Sequence, residues 1–406
     1  MKIEDRFLKY VAFDTQSAEE KTFIPSTEKQ TKLAKYLVKE LKSLGASHVR
    51  LGECSYVYGE IPANTGKKLP VLGFIAHMDT SPEVSDENVK PVIVRNYQGG
   101  DILLNKKENI VFSAKEYPEV ENHKGEDIIF TDGTTLLGAD DKAGVAAIMT
   151  MAEYLLSHPE IEHGKIVIGF TPDEEVGHGP DAFDIKHFGA DFAYTIDGEA
   201  ENEIEYENFN AAAALVKVSG YSIHPGSAKD RMKNACLLAM EYHYKLPQEQ
   251  APVHTEGYEG FFHLGSLDAD VEHATLKYAI RDHDAGLFAE KKKVMEQAAA
   301  EMNGKYGDNT VELTITDSYY NMKKKIEPHM HLIENAKKAM EEAGLKPKVQ
   351  PIRGGTDGAR LSYMGLPCPN LGTGGHNFHS RFEYISIQSM EKVTQVIINL
   401  VKLYSK

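Results

Sequence analysis

The sequence predicts an α/β domain interrupted by a smaller α+β unit of ferredoxin-like order. Three observations lead there. A chain of 406 residues is too long for one ordinary core, which favours two domains, one of them split by an insertion. Short apolar runs alternate with helical patterns through the first half, as in an α/β sheet. The middle of the chain then changes to a β-α-β-β-α-β order.

After Ser26 and Thr27, Leu33, Leu37, Leu41 and Leu44 recur at helical spacing. This predicts an amphipathic surface helix with a capping pair at Thr27 and Gln30 and a stop at Gly45. Residues 69–76 (LPVLGFIA), 165–171 (KIVIGFT) and 191–196 (DFAYTI) read as buried strands. A helix over 142–156 carries Val145, Ile148, Met149, Ala152, Leu155 and Leu156. In the middle, strands are expected over 211–219, 261–267, 272–282 and 310–316, with helices over 229–244 and 285–302. Boundaries near Phe209 and Met322 make 1–208 and 322–406 two parts of one domain and 209–321 the insertion, with a helix over 328–344 resuming the first domain. Glu199, Glu201, Glu203, Glu205 and Glu207 alternate strictly, which on a strand puts every carboxylate on one face. A solvated edge strand that resists edge-to-edge pairing is preferred over a cation or amine site; Glu199 is set apart by its closeness to Asp197.

Composition narrows the function classes. Lys+Arg 45 against Asp+Glu 61 gives a net charge of −16, which repels nucleic acid and anionic membranes, so neither is an expected partner. The N-terminal MKIEDRFLKYVAF has no continuous apolar region, and no later stretch is long enough to span a bilayer, so a cytoplasmic protein is expected. Cys54, Cys236 and Cys368 are widely separated and form no CxxC pair, which argues against a disulfide framework or a cysteine-rich zinc site. Neither a phosphate-binding GxxxxGK[ST], a GxGxxG after the first strand nor a GxSxG nucleophile elbow is present.

Five features place metal-binding side chains at or beside the ends of expected strands, where open α/β sheets bind ligands. His77 and Asp79 form an HxD at the end of the first strand, and period two lets the Asp79 carboxylate take the His77 ring N–H. Asp140 and Asp141 precede the apolar helix; either could simply cap it, but a carboxylate can also bridge two cations. Glu174 and Glu175 follow the 165–171 strand, either as a solvated turn or as a ligand beside a general base. Asp197 and His379 complete the set. Two histidines and three carboxylates suit zinc, cobalt or manganese, and a shared carboxylate holds two ions roughly 3.5 to 4 Å apart.

At these positions the sequence resembles the co-catalytic zinc peptidase family that includes carboxypeptidase G and acetylornithine deacetylase. The matching motifs are His77-Met78-Asp79, Ala139-Asp140-Asp141-Lys142-Ala143-Gly144, Asp173-Glu174-Glu175-Val176-Gly177, Ile196-Asp197-Gly198-Glu199 and His379-Ser380-Arg381-Phe382-Glu383. The resemblance runs essentially end to end. Within the family it is strongest toward the tripeptide aminopeptidases, through phrases such as Gly220-Tyr221-Ser222-Ile223-His224-Pro225-Gly226 and Ile352-Arg353-Gly354-Gly355-Thr356-Asp357-Gly358.

The resemblance implies a mixed-sheet zinc-peptidase catalytic domain interrupted by a ferredoxin-like lid and dimerisation domain, working as a homodimer on short peptides with two Zn²⁺ per subunit. It implies that Asp140 bridges the ions, His77 and Asp197 complete one site, and Glu175 and His379 the other. Asp79 would orient His77, while Glu174 would move protons between the bridging water and the leaving amine. His224 would steady the oxyanion at a neighbouring active site; by itself it reads as a loop histidine before a Pro-Gly turn. Arg281 and Arg353 are candidates for gripping a peptide carboxylate, although Arg281 could equally pair with Asp282 or Asp284. Two other readings keep the metal site: a dipeptidase or N-acyl amino acid hydrolase, and a catalytically inactive zinc-dependent binding protein. A base at Glu174 argues against the latter.

Overall fold

The structure, a computed structural model, describes every residue except Glu20 and Thr22. The chain divides into two compact units. One comprises Met1–Tyr206, Lys324–Gln350 and Thr356–Lys406, the other Glu207–Lys323 and Pro351–Gly355. The short segment 351–355, expected with the first unit, groups with the second because its bonds go there. The Ile352 N–H donates to the Glu207 carbonyl at 2.8 Å, and the Ile352 carbonyl meets His283 Nε2 at 3.0 Å.

The first unit is built on an eight-stranded mixed sheet. Its strands lie in the order Ser47–Leu51, Val57–Ile61, Ile166–Thr171, Leu72–His77, Phe192–Gly198, Asn370–Gly372, Glu203–Glu205 and Lys348–Val349. Leu72–His77 runs parallel to both its neighbours and is buried at every position. That burial is why it reads as a continuous apolar run rather than an alternating one. The helix Ala139–Ser157 packs on this strand. It also packs on the neighbouring Phe192–Gly198, where Gly144 permits the approach, since a Cβ there would lie 2.0 Å from the Ile196 carbonyl oxygen. Two smaller antiparallel sheets complete the unit. No helix is long and apolar enough to cross a membrane among the described residues.

The second unit is a four-stranded antiparallel sheet in the order Phe261–Ala269, His273–Asp282, Asn210–Ser219 and Val311–Tyr319. Helices Ala235–Lys245 and Ala285–Tyr306 supply its crossovers. Leu238, Tyr242, Leu276, Ile280, Met295 and Met302 fill its core.

Four local expectations change. The helix expected from 229 begins at Ala235, where the Asn234 side chain accepts from the Leu237 N–H and supplies the cap. The helix expected over 328–344 is shorter, at His331–Glu342, and follows a 3₁₀ turn at Glu327–His329. The helix after Thr27 runs Lys29–Leu44 and stops at the left-handed Gly45, but no side chain caps its start. Thr27 instead donates to the Gln16 carbonyl, and Gln30 turns inward. Finally, the acidic run is not a solvated edge beyond its start, where Glu199 is exposed and Glu201 half-buried. Glu203–Glu205 is sandwiched between two strands, and Glu203, Glu205 and Glu207 are all buried. Asn370 donates to Glu205 at 2.7 Å and Lys348 to Glu203 at 3.3 Å, so pairing partners distant in sequence replace the expected water.

Candidate metal centre

His77 ends the Leu72–His77 strand, Asp197 lies one residue before the end of Phe192–Gly198, and Glu175 lies in the loop after Ile166–Thr171. Parallel alignment of these strands brings their C-terminal ends to one edge of the sheet. His77 Nε2 lies 2.8 Å from Asp140 Oδ1 and 3.2 Å from Asp197 Oδ1. His379 Nε2 lies 3.3 Å from the other Asp140 oxygen and 2.9 Å from Glu175 Oε2. Asp140 thus belongs to two groups, His77–Asp140–Asp197 and Asp140–Glu175–His379, each with its ligand atoms within 4.8 Å of one another. His379 is 40% exposed while His77 is 2% exposed, so the cluster opens toward solvent on the His379 side.

Local backbone explains these directions. The capping reading holds for Asp141, while Asp140 faces the two histidines. Asp140 has φ −80 and ψ 108, outside the helix, which turns its carboxylate to the two histidines. Asp141 accepts from the Gly144 N–H at 3.1 Å and the His77 N–H at 3.1 Å, tying helix start to strand end. His379 adopts a left-handed φ of 59, a conformation that neighbouring structure must enforce in a non-glycine residue. Asp173 does too, at φ 56. Its carboxylate accepts from the Ser26 N–H and hydroxyl at 2.6 and 2.5 Å and from Gln30 at 2.6 Å, bracing the loop that carries Glu174 and Glu175. The sequence reading assigned this brace no role.

The electrostatics suit cations. Burial opposes charge on His77 and His379, yet the carboxylates around them raise both, His379 to about 11. Burial and the Asp140 charge push Glu175 up to about 8, and its Oε1 is buried with no hydrogen-bond partner among the described residues. Five imidazole and carboxylate donors with an unpaired, shielded oxygen form a donor set that fits a pair of divalent ions. Glu174 is raised well above the usual carboxylate range by burial and by Asp197.

Asp79 differs in detail from expectation. His77 Nδ1 is 3.0 Å from the Asp79 carbonyl and 3.4 Å from its carboxylate. The carboxylate accepts from the N–H groups of Glu174 and Glu175 at 3.0 and 3.2 Å. It therefore ties the first strand end to the acidic loop. Asp357, which carried no role, is a buried neighbour: Thr171 donates to it at 2.7 Å, and burial pushes it up to about 7.

His224, Arg281 and Arg353 belong to the second unit. His224 Nδ1 accepts from the Gly226 N–H at 3.1 Å. Arg281 donates to the carbonyls of Ala212 and Ile280 and lies over the Tyr319 ring at 5.5 Å. Its two expected carboxylate partners are engaged otherwise: Asp282 meets Lys291, and Asp284 caps the following helix. Arg353 donates to the carbonyls of Gly257, Glu259 and Thr255 and to the Thr255 hydroxyl, so its fork is largely engaged within the unit.

The model of peptidase family M20/M25/M40 matches residues 135–403. The chain belongs to this family. This M20-family peptidase is 56% identical over 403 residues to peptidase T of Alkaliphilus oremlandii, spanning 99% of this chain and 98% of that protein. Identity to peptidase T of Clostridium acetobutylicum is 57% over 402 residues, with 99% and 98% covered. A tripeptidase structure from Staphylococcus aureus superposes with a TM-score of 0.79 at 22% identity, covering 100% of this chain and 98% of that one. The aminopeptidase PepT of Bacillus cereus gives 0.77 at 22% identity with the same coverage. These structures share the fold, a mixed-sheet catalytic domain with an inserted ferredoxin-like domain. The enzyme is a hydrolase acting on peptides.

Proposed function

We propose that this peptidase removes the N-terminal residue from tripeptides and does so with two zinc ions held by His77, Asp140, Glu175, Asp197 and His379. The observation that carries the reading is the membership of Asp140 in both ligand groups, with the buried Glu174 next to the ligand Glu175. Full-length identity above one half to proteins named peptidase T supports the substrate class.

His77 and Asp197 would hold one ion, Glu175 and His379 the other, with Asp140 shared between them. When bound, the ion pair supplies Lewis-acid polarisation of the scissile carbonyl and makes a water easier to deprotonate. Glu174 takes the proton of the attacking water and delivers it to the leaving amine. Burial and Asp197 raise its proton affinity, which suits a group that must accept a proton before passing it on. Asp79 fixes Glu174 through its backbone N–H.

The inserted unit acts as lid and dimerisation surface in this reading. Because His224 Nδ1 accepts a backbone hydrogen bond, the neutral ring carries its proton on Nε2, as an oxyanion donor requires. Arg281 and Arg353 grip the substrate carboxylate, with Arg353 needing to release carbonyls to do so. Leu237, Met240 and Tyr244 are exposed on the helix Ala235–Lys245, which supports a second copy of the chain as partner. Free Cys54, Cys236 and Cys368 fit a reducing cytoplasm.

Mass-spectrometric analysis of a pool of di-, tri- and tetrapeptides with free and blocked termini tests the proposal. Tripeptides with a free amine should lose their first residue, the activity should vanish on chelation, and zinc should restore it. Turnover that survives metal stripping refutes the mechanism. Preference for dipeptides or N-acyl amino acids refutes the substrate assignment.

A further inference from the structure

Glu383 is fully buried, at 1% exposure, yet among the described residues its carboxylate has no cationic side chain as a hydrogen-bond partner. Instead it accepts three backbone N–H groups from one loop. Glu383 Oε2 takes those of Leu137 and Gly138, each at 2.7 Å, and Oε1 takes that of Asp140 at 3.0 Å. Burying a carboxylate is costly unless its oxygens are bonded, and here the donors come from the segment that presents the shared ligand. The other end of Glu383 is tied to the His379 turn: its own N–H donates to the Ser380 carbonyl at 3.1 Å, and the Phe382 N–H donates to the Ser380 hydroxyl at 3.1 Å.

We infer that Glu383 is a positioning residue for the metal centre, setting the distance between Asp140 and His379 by clamping the loop of one to the turn of the other. This rests on the two-ion reading above. Asp140 is shared by both groups, but His379 belongs only to the one with Glu175, and the other two residues of the first group, His77 and Asp197, are held separately, by Asp141 bonding the His77 N–H and by strand pairing. Losing the clamp should therefore loosen the Glu175-side ion first. Glutamine has the right shape, but its amide offers only one acceptor oxygen and places an N–H₂ against a backbone donor. Glu383→Gln therefore breaks the cradle with little change in volume.

The test is competition for zinc between a graded series of chelators and the full-length protein, wild type against Glu383→Gln, alongside metal-free melting curves and activity with zinc in excess. The wild type should hold two ions. E383Q should hold one nearly as tightly and the second roughly 10- to 100-fold more weakly, the usual range when a residue behind a ligand is lost. Its metal-free melting should stay close to wild type, and excess zinc should restore much of its turnover. A purely structural role would lower the melting midpoint and would not respond to zinc. If E383Q does not fold, Glu383→Asp, which withdraws the charge by one methylene, must show the same selective loss. Two ions held by E383Q as tightly as by wild type, or both lost equally, overturn the inference. A wild-type protein that binds no pair of ions overturns the two-ion reading itself and this inference with it.

Discussion

Glu205→Gln tests the buried acidic strand. Glu205 is 6% exposed, pairs across the strand with Asn370 and accepts from its side-chain N–H at 2.7 Å. The amide oxygen of Asn370 is buried with no hydrogen-bond partner among the described residues. Burial first, then the neighbouring Glu203 charge, pushes Glu205 from an ordinary 4.5 up to about 8. The native state thus keeps a proton that the unfolded chain releases through this window, so stability falls as pH rises from 4.5 toward about 8 and then levels. At about 1.4 kcal/mol for each pH step, the window is worth on the order of 5 kcal/mol. Glutamine mimics the protonated acid and can donate to the orphaned Asn370 oxygen. E205Q should match wild type within about 1 kcal/mol near pH ~5 and exceed it by up to about 5 kcal/mol near pH ~9. Urea unfolding across that range, with the metal content held constant, measures the difference. Parallel pH dependences for the two proteins would show that Glu205 is ionised in the native state and refute the reasoning.

Replacing Glu174 by Ala should lower turnover by at least roughly 10²- to 10⁴-fold and leave metal content nearly intact, whereas Glu175→Ala should lose an ion; metal analysis that finds the opposite exchanges their roles. Asp79→Ala frees the N–H groups of Glu174 and Glu175, so kcat should fall roughly 10- to 100-fold with the fold retained, and wild-type kcat would rule out its positioning part. Gly144→Ala sets a Cβ 2.0 Å from the Ile196 carbonyl oxygen and 2.4 Å from Asp141 Oδ1. It should cost about 1–3 kcal/mol or more, read as a lower melting midpoint; an unchanged midpoint would mean that helix and strand do not pack as closely as described.

The sequence by itself determined the elements whose character is local. The apolar runs ending at His77 and Thr171, the heptad-like leucines before Gly45 and the ferredoxin-like order of the middle segment all follow from period and composition. The ligand candidates were legible because metal chemistry demands particular side chains and strand ends repeatedly carried them. Tertiary structure decided what depends on partners far along the chain. Only pairing with Asn370 and Lys348 turns the later part of the acidic run, Glu203–Glu205, from a solvated edge into a buried strand, because a carboxylate's environment is not encoded in its neighbours. The same holds for Gln30, which reads as half of a helix cap but braces Asp173, and for Arg353, whose fork is met by carbonyls nearly a hundred residues away. Alternation and spacing specify which way a side chain can point. What waits there to receive it is set by the packing of the whole chain.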